Sequence, residues 1–447
     1  ITTRLVGSEM CIRDRYIPGW DTHGLPIELK VTEKLGEKAK EMSPLEIRKL
    51  CTEYALKWVG IQREGFKRLG VLGDWENPYL TLKPEYEAKQ LEVFGELYEN
   101  GYIFKGLKPI YWSPVTETAL AEAEIEYKNV TSPSIYVKME ANADLLERLG
   151  LTEETWVVIW TTTPWTIPSN MAISVHPRFE YTFFEKDGDV YVAAQDLLAS
   201  FLADVSWDEA DIKVLGSCKG QDLELLNTRH PLVDRKSPII LGEHVTLEAG
   251  TGSVHTAPGH GLEDYEVGCR YGIEVFSPLD SRGVWTEAVK DKDLEGVPYY
   301  KGNSIVIEKL QNCGALLAQQ DINHSYPHCW RCKNPVIYRA TPQWFVKVEK
   351  FREQTLEEIK KVKWIPASGE ARISNMVAGR TDWCISRQRA WGVPIPVFYC
   401  EDCGEVIVTD ETIENVAKIF EKESSDAWVN HTVEAVSYTH LRAHETR

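Results

Sequence analysis

The amino-acid sequence predicts an α/β fold in which one α/β domain is interrupted by a long β-rich insertion. Two observations favour this organisation. Before residue 130 the chain shows two strongly patterned helices and a strand, and from Tyr326 a similar mixed pattern returns. Between them, short β-branched and aromatic runs alternate with turn residues, which is typical of strands. A chain of 447 residues has room for about three domains.

The two helices carry recognisable start and stop signals. Ser43 is a suitable N-cap, Pro44 follows at the first helical position, and Glu46 completes a capping box. Apolar side chains then recur at helical spacing. A second helix is predicted over residues 84–100, because Gly101 supplies a stop signal. The run LKPIYWSP after it is predicted to be a short strand.

The β-rich insertion contains the runs TWVVIW, YTFF and DVYVAA, and the turn sequence KDGD separates the last two. After the insertion, a helix rich in acidic and basic residues is predicted near residues 350–362. The predicted segments are 1–15, 16–129, 130–325, 326–435 and 436–447. The first and the last resemble translated sequencing-adapter sequence, and we expect both to be unstructured.

Composition narrows the class of protein. The contents of 43% apolar and 26% charged residues are typical of a globular protein, and no apolar run predicts a membrane span. A formal net charge of −18 repels nucleic acid unless a local basic surface holds it, so composition alone favours a metabolic enzyme. Two Cys-x-x-Cys pairs among ten cysteines favour a reducing compartment and metal binding over a disulfide framework.

The stretch IWTTTPWTIPSN places several hydroxyl groups at the end of an apolar strand. Thr161, Thr162 and Thr163 are consecutive, Thr166 follows, and two prolines fix the turn between them. The β-propensity of threonine explains one or two of these residues, but less readily three in a row. Hydroxyls both donate and accept hydrogen bonds, so this strand end could orient a water molecule and a polar ester together.

A glycine-rich stretch, EAGTGSVHTAPGHGLEDYEVG, carries His255, His260 and Asp264. Its glycines indicate close backbone approach, but their spacing does not fit a dinucleotide-binding loop. The three polar residues permit a metal-dependent hydrolase, although no H-E-x-x-H motif supports it. The structural alternatives are a core histidine at 255 and a helix N-cap or surface carboxylate at 264. A buried carboxylate is also suited to holding the ammonium group of a ligand.

The remaining motifs are a loop and two cysteine pairs. In YIPGWDTHGLPIELK, prolines and glycines fix the backbone while Asp21 presents a carboxylate, although a plain structural turn is the alternative. The pairs Cys329/Cys332 and Cys400/Cys403 are each half of a tetrahedral zinc site. They are farther apart than the halves of one zinc ribbon usually are, so two incomplete sites are an equal alternative.

Five segments, in their order along the chain, resemble the isoleucyl-tRNA synthetases, a family of class I aminoacyl-tRNA synthetases. They are PGWDTHGLPIELK, WTTTPWTIPSN, GTGSVHTAPGHGLEDY, YPHCWRCKNPVIYRAT and CISRQRAWGVPIPVF. The resemblance extends from Tyr16 to about Ala435. Valyl and leucyl relatives are expected to carry T-T-R-P-E/D-T where this chain has T-T-T-P-W-T, which favours the isoleucyl branch. The alternatives are a valyl-tRNA synthetase, a zinc-dependent hydrolase and a non-catalytic binding module.

The resemblance implies a Rossmann-type catalytic domain in two parts, 16–129 and 326–435, interrupted by a β-barrel-like editing domain at 130–325. In the synthetic site, Asp21 would hold the amino group of isoleucine and Trp391 would line its side-chain pocket. The implied cofactors are ATP with Mg²⁺, and Zn²⁺ at a half-site of Cys400 and Cys403. The implied partners are tRNA(Ile), L-isoleucine and ATP, for a monomeric, cytoplasmic protein without a membrane partner.

The resemblance also implies an editing site that hydrolyses valine misattached to tRNA(Ile). Asp264 would bind the ammonium of the amino acid, and His255 would crowd the pocket so that isoleucine is excluded. One missing methylene changes binding by only about 1–3 kcal/mol, a general magnitude for which this enzyme class is itself the standard example. A second, smaller pocket therefore has a physical purpose. The implied editing residues are Thr161, Thr162, Thr163, Asn170, His255 and Asp264.

The sequence departs from the family pattern in two ways. The H-I-G-H and K-M-S-K-S sequences, which bind ATP in the family, are absent, so we expect an internal fragment that edits but does not aminoacylate. Where some members carry a first cysteine pair, this chain has YWSPVTETALAEAE, which leaves Cys329 and Cys332 without their usual partners. Partners for Cys400 and Cys403 would lie downstream.

Overall fold

The computed structural model describes residues 16–151, 154–400 and 402–431. The predicted adapter-like segments, 1–15 and 436–447, lie outside these residues. The described chain forms two compact units. The first contains the residues up to Phe104 and those from Phe345 onward, and the second is Lys105–Trp344. The second unit includes the whole predicted insertion, whose boundaries at 130 and 325 stay a prediction.

The helices of both units are numbered here in chain order. They are α1 (Leu25–Leu35), α2 (Pro44–Arg68), α3 (Pro84–Glu99), α4 (Ala143–Leu149), α5 (Leu198–Asp204), α6 (Leu262–Arg270), α7 (Tyr299–Asn312), α8 (Glu349–Lys361), α9 (Ser368–Ala378), α10 (Asp410–Glu423) and α11 (Ala427–Asn430).

The strands are numbered in the same way. They are β1 (Gly19–Trp20), β2 (Tyr79–Leu80), β3 (Ile103–Ser113), β4 (Thr118–Ala119), β5 (Ile125–Ala141), β6 (Thr155–Thr161), β7 (Ala172–Val175), β8 (Glu180–Lys186), β9 (Asp189–Ala194), β10 (Lys213–Lys219), β11 (Asn227–Arg229), β12 (Lys236–Leu241), β13 (Ser253–Thr256), β14 (Leu316–Cys329), β15 (Ile337–Val346), β16 (Trp383–Cys384), β17 (Phe398–Tyr399) and β18 (Val406–Ile407).

The first unit confirms the helix signals in the sequence. The capping box of α2 is formed: Ser43 Oγ accepts from the backbone N–H of Glu46, and Glu46 Oε2 accepts from the N–H of Ser43 at 2.8 Å. Helix α3 ends before Gly101, which has a φ of 67°. Helices α3 and α10 pack through a cluster of buried side chains that includes Leu91 and Phe420.

The second unit is built on one ten-stranded sheet with the order β10-β8-β9-β6-β13-β7-β12-β11-β5-β14. Strand β5 also pairs with β6, from Ile135 opposite Thr161 to Glu140 opposite Trp156. This second pairing closes six strands, β6-β13-β7-β12-β11-β5, into a ring. The predicted β-rich, barrel-like insertion is therefore present as an architecture within a mixed α/β protein.

The interior of this unit is apolar and tightly enclosed. Ile135 and Ile159 from β5 and β6 are almost fully buried, as are Ile173 of β7 and Ile239 of β12. These β-branched residues suit the pleated surface of a buried strand. The predicted strand end at Thr161 is confirmed, but the turn after it is a 3₁₀ helix over Pro164–Ser169.

The chain passes between the two units twice. It enters the second unit within β3 and leaves it within β15, and these two strands are neighbours in one sheet. Across the ranges 16–151, 154–400 and 402–431, no helix is long and apolar enough to cross a membrane.

Candidate functional site

Three elements of the second unit bring the predicted editing residues together. Strand β13 lies between β6 and β7, with Val254 opposite Trp160 and His255 opposite Ile173. The end of β6 therefore lies beside the strand that carries His255. The chain then turns into α6, whose first turn carries Asp264.

A cavity of about 450 Å³ lies where these elements meet. Its walls include Thr161, Thr162, Thr163, His255 and Asp264, five of the six predicted editing residues. The volume falls within the range of pockets that hold small organic ligands. Other walls are formed by Trp160, Thr166, His244, Ser253 and His260.

The threonine hydroxyls form a hydrogen-bonded chain along one wall. Thr161 Oγ1 lies 3.2 Å from Thr163 Oγ1 and accepts the backbone N–H of Thr163 at 3.1 Å. Thr163 Oγ1 in turn lies 3.2 Å from Thr166 Oγ1. These three hydroxyls are fixed by one another, so their part of the wall presents oriented donors and acceptors rather than freely rotating groups.

His255 is held by hydrogen bonds at both ring nitrogens. Asn170 Nδ2 lies 2.8 Å from His255 Nδ1 and also donates to the carbonyl of Ala172, which identifies this atom as the amide nitrogen. Nδ1 is therefore the acceptor, and Nε2 carries the proton that is donated to Thr166 Oγ1 at 2.9 Å. Thr166 Oγ1 donates onward to the carbonyl of Thr163 at 2.8 Å.

Asn170 lies behind His255 rather than among the cavity walls. It is fully buried, its Oδ1 accepts from Ser237 Oγ at 2.6 Å, and its carbonyl accepts from Arg235 Nη1 at 2.7 Å. The structure thus gives Asn170 a positioning contact with the ring of His255. Direct contact with a ligand in the cavity is not part of this arrangement.

The histidines around the cavity are neutral. Burial, with smaller contributions from nearby His230 and His260, lowers the pKa of His255 to about 3. Burial likewise lowers the pKa of His230 and of His260 to about 4 each. At neutral pH no positive charge is present on these rings, and His255 is a poor proton acceptor.

The pKa of Asp264 is raised by burial, whereas the pKa values of the histidines are lowered. Desolvation raises the pKa of its carboxyl to about 6, although a hydrogen bond from the backbone N–H of Ala257 to Oδ2, at 2.9 Å, lowers it in part. The side chain is only partly buried, since one side faces the cavity. The N-cap alternative for Asp264 is wrong, because the cap residue of α6 is Gly261.

Two of the glycines noted in the sequence allow this close packing. A Cβ at Gly252 would lie 2.5 Å from the Cβ of Ala194, and the backbone there has a φ of 73°. A Cβ at Gly261 would lie 2.8 Å from Asp264 Oδ2. Both positions favour glycine, so the pattern that the sequence shows reflects the walls of the cavity.

The structure does not support the zinc predictions. Within the part of the chain that the structure describes, no group of three or more histidine, cysteine, aspartate or glutamate side chains could hold a metal ion. Both nitrogens of His255 are already hydrogen-bonded, which removes it from the proposed hydrolase site of His255, His260 and Asp264. Cys400 and Cys403 supply only two thiols where a tetrahedral zinc site needs four ligands.

The other cysteine pair lies in a polar cluster of the second unit. Ser113 Oγ lies 3.8 Å from Cys332 Sγ and accepts a hydrogen bond from Thr116 Oγ1 at 2.8 Å. Cys329 is fully buried at the end of β14, beside this group. Hydroxyls thus occupy the place beside the two thiols where further thiolate ligands would be needed.

The two predicted residues of the synthetic site both lie in the first unit, where Trp391 contacts Thr22, the residue after Asp21. Asp21 is exposed, and Trp391 is 3% exposed with its indole Nε1 donating to the carbonyl of Thr22 at 2.8 Å. The backbone N–H of Trp391 donates to Glu28 Oε2 at 2.8 Å. His23 packs against the Trp391 ring, with ring centroids 4.9 Å apart.

Several residues that organise the cavity carry little signal in the sequence. Thr166 holds His255, and its position three residues after Thr163 is the only local indication of this role. No sequence pattern indicates Ser237 or His230. The folding of the chain brings them into contact with Asn170 and with the carbonyl of Ile167, respectively.

Comparisons with known proteins match most of the chain to one family. A family described as class I tRNA synthetases (I, L, M and V) matches residues 7–445. Isoleucine–tRNA ligase of Caldanaerobacter subterraneus subsp. tengcongensis is 53% identical over 94% of this chain, and that of Carboxydothermus hydrogenoformans is 55% identical over 92%. A match to a solved structure described as GlLeuRS-CP1 covers 39% of this chain and 84% of that one, at 17% identity and a TM-score of 0.28.

The chain spans about 45% of the length of the curated relatives that it matches.

Proposed function

The chain belongs to the class I tRNA synthetases, and on this basis we propose that it comes from the isoleucyl branch and hydrolyses valine misattached to tRNA(Ile). The parent activity is the ATP-dependent charging of tRNA(Ile) with isoleucine. The curated relatives are isoleucine–tRNA ligases, and the T-T-T-P-W-T sequence from Thr161 to Thr166 supports the same branch.

The observation that carries the editing proposal is the single cavity that unites Asp264 with the threonine wall. An aminoacyl ester presents an ammonium next to a polarised carbonyl. The carboxylate of Asp264 would bind the ammonium, since opposite charges in a partly dehydrated site attract strongly. The ammonium would in turn favour the ionised carboxylate and lower the raised pKa of Asp264.

The hydroxyls of Thr161, Thr162 and Thr163 would hold the ester carbonyl and the attacking water. His255 does not act as a general base in this proposal, because its pKa is about 3 and both nitrogens are engaged. Its role is steric. The fixed ring narrows the cavity, so that the branched side chain of valine fits and the longer one of isoleucine does not.

For the synthetic reaction we propose that Asp21 binds the amino group of isoleucine and that Trp391 lines its side-chain pocket. The anchored indole and the exposed carboxylate support this assignment. The family uses tRNA, an amino acid and ATP with Mg²⁺. We propose tRNA(Ile), L-isoleucine and ATP for the parent protein, acting as a monomer in the cytoplasm.

The direct test is to incubate the chain with Val-tRNA(Ile) and follow the release of valine. We expect release above the buffer rate, with at least a tenfold loss in Asp264→Ala and Thr162→Ala. Asp196→Ala, an exposed carboxylate of the same unit, is the matched control and should release valine at the unchanged rate. No release by a folded, unchanged chain would contradict the proposal.

A further inference from the structure

The cavity contains polar atoms for which the protein supplies no partner. In the described residues, His244 Nε2, Ser253 Oγ and His260 Nε2 are buried without a hydrogen bond, and all three residues line this cavity. Buried polar atoms are nearly always paired in folded proteins. Three unpaired atoms around one cavity are therefore positions at which a bound water molecule or ligand would complete the hydrogen bonding.

Of the three, His260 has the best-defined chemistry. Its Nδ1 lies 3.0 Å from the carbonyl oxygen of Tyr338, and a carbonyl can only accept, so Nδ1 carries the proton. The low pKa of the ring keeps it neutral at pH 7. Nε2 is therefore a free lone pair. The ring is 9% exposed and packs edge-on against Trp165, with centroids 5.1 Å apart.

His260 and Asp264 belong to the same turn of the chain. The backbone N–H of His260 donates to the carbonyl of Ala257 at 2.8 Å, and the N–H of Ala257 donates to Asp264 Oδ2 at 2.9 Å. The turn thus holds the backbone of His260 close to the carboxylate of Asp264, and both residues line the cavity. One oxygen of Asp264 is already engaged by the backbone.

An ammonium group has three N–H donors, and one partly engaged carboxylate does not satisfy them all. His255 cannot accept, because its Nε2 carries a proton that goes to Thr166. His260 Nε2 is an unpaired acceptor that carries no proton at neutral pH.

We propose that His260 is a second binding residue for the α-ammonium of the aminoacyl ester, accepting one N–H at Nε2 beside the carboxylate of Asp264. This inference rests on the proposed editing function and names a further recognition group of that site. It also supplies a hydrogen-bond partner for Nε2, a buried acceptor to which the protein itself offers none.

The test compares two substitutions of His260, because the side-chain amide of glutamine extends one bond farther than that of asparagine. His260→Asn places its side-chain nitrogen where Nδ1 was, so it retains the bond to Tyr338 but has no acceptor at the Nε2 position. His260→Gln places an oxygen at the Nε2 position and gives up the Nδ1 contact. A purely structural role predicts that His260→Asn is tolerated, whereas ammonium binding predicts that His260→Gln is tolerated.

The probes are two stable amides of an aminodeoxyadenosine, measured by calorimetry with the whole chain. One carries valine, and the other carries 3-methylbutanoate, which has the same side chain but no ammonium. We expect His260→Asn to bind the valyl amide about tenfold more weakly and the 3-methylbutanoyl amide unchanged, since the lost bond is to a charged group. His260→Gln should bind both amides like the unchanged chain.

The contrary results are distinct. If His260→Gln weakens binding of the valyl amide and His260→Asn does not, His260 is a structural residue and the inference is wrong. The same holds if His260→Asn weakens binding of the two probe compounds equally. In both cases the proposed editing function stands. If the unchanged chain binds neither amide, the proposed function fails and this inference fails with it.

Discussion

Thr166 Oγ1 lies 2.9 Å from His255 Nε2, on the side of the ring opposite the nitrogen that Asn170 holds. The two contacts together fix the tautomer and the orientation of a neutral ring in the cavity wall. Steric exclusion of a larger amino acid requires such a fixed ring, because a mobile side chain would move aside.

Loss of the Thr166 hydroxyl should loosen this ring. We expect Thr166→Val, which keeps the shape of the side chain, to lower the free energy of unfolding by about 1–3 kcal/mol, because a buried N–H of His255 loses its partner. Hydrolysis of Ile-tRNA(Ile) should rise relative to Val-tRNA(Ile). Urea unfolding and the two hydrolysis rates measure these effects. Thr166→Ser retains the hydroxyl and should resemble the unchanged chain. If Thr166→Val and Thr166→Ser hydrolyse Ile-tRNA(Ile) and Val-tRNA(Ile) in the same ratio, the positioning role is contradicted.

The ionised carboxylate of Asp264 should lower the free energy of unfolding of the protein. Its pKa is about 6 in the folded chain and near 3.8 when unfolded, so the folded state holds the proton more tightly. Stability from this group is present below pH 3.8 and is lost as pH rises through 6. We expect Asp264→Asn to be more stable than the unchanged chain by about 2 kcal/mol at pH 8, with little difference at pH 4, and to release no valine. A variant that is less stable at pH 8 in urea unfolding would argue against this.

The neutral histidines should make the second unit sensitive to acid. The pKa values of His230, His255 and His260 lie at about 3–4 when folded and near 6.5 when unfolded. Their contribution to stability is therefore complete above pH 6.5 and is lost as pH falls toward 4. Three such groups outweigh the opposite effect of Asp264. We expect proton uptake on unfolding between pH 6.5 and 4.5, measured by potentiometry together with urea midpoints; a midpoint that stays constant over this range would refute the expectation.

The polar cluster beside Cys332 should become a zinc site when its hydroxyls are replaced by thiols. The double variant Ser113→Cys, Thr116→Cys would bring four sulfurs together, because Ser113 Oγ already lies 3.8 Å from Cys332 Sγ. We expect one tightly bound zinc ion per chain, by metal analysis after chelator dialysis, and a higher melting temperature with zinc. Ser113→Ala, Thr116→Ala is the control and should retain none. Equal zinc content in both variants would show that the four positions do not converge.

Local signals in the sequence predicted local structure well. Ser43 and Glu46 lie three residues apart and specified the start of α2 without help from the rest of the chain. The contact between Asn170 and His255 spans 85 residues and depends on β13 lying beside β7, so no local pattern revealed it. No local pattern revealed the pairing of β5 with β6 that closes the ring of strands either. The site residues implied by the family resemblance stay a prediction, but only the folded chain distinguishes a wall residue such as Thr162 from the supporting Asn170.

The entry and exit of the second unit through the neighbouring strands β3 and β15 have an evolutionary consequence. A module whose two ends lie side by side can be gained, exchanged or deleted by a single recombination event, because joining the cut ends needs only a short hairpin. The proposed editing function would then reside in a block that recombination can move as one piece. The same geometry offers a practical route to transplanting residues 105–344 into another host.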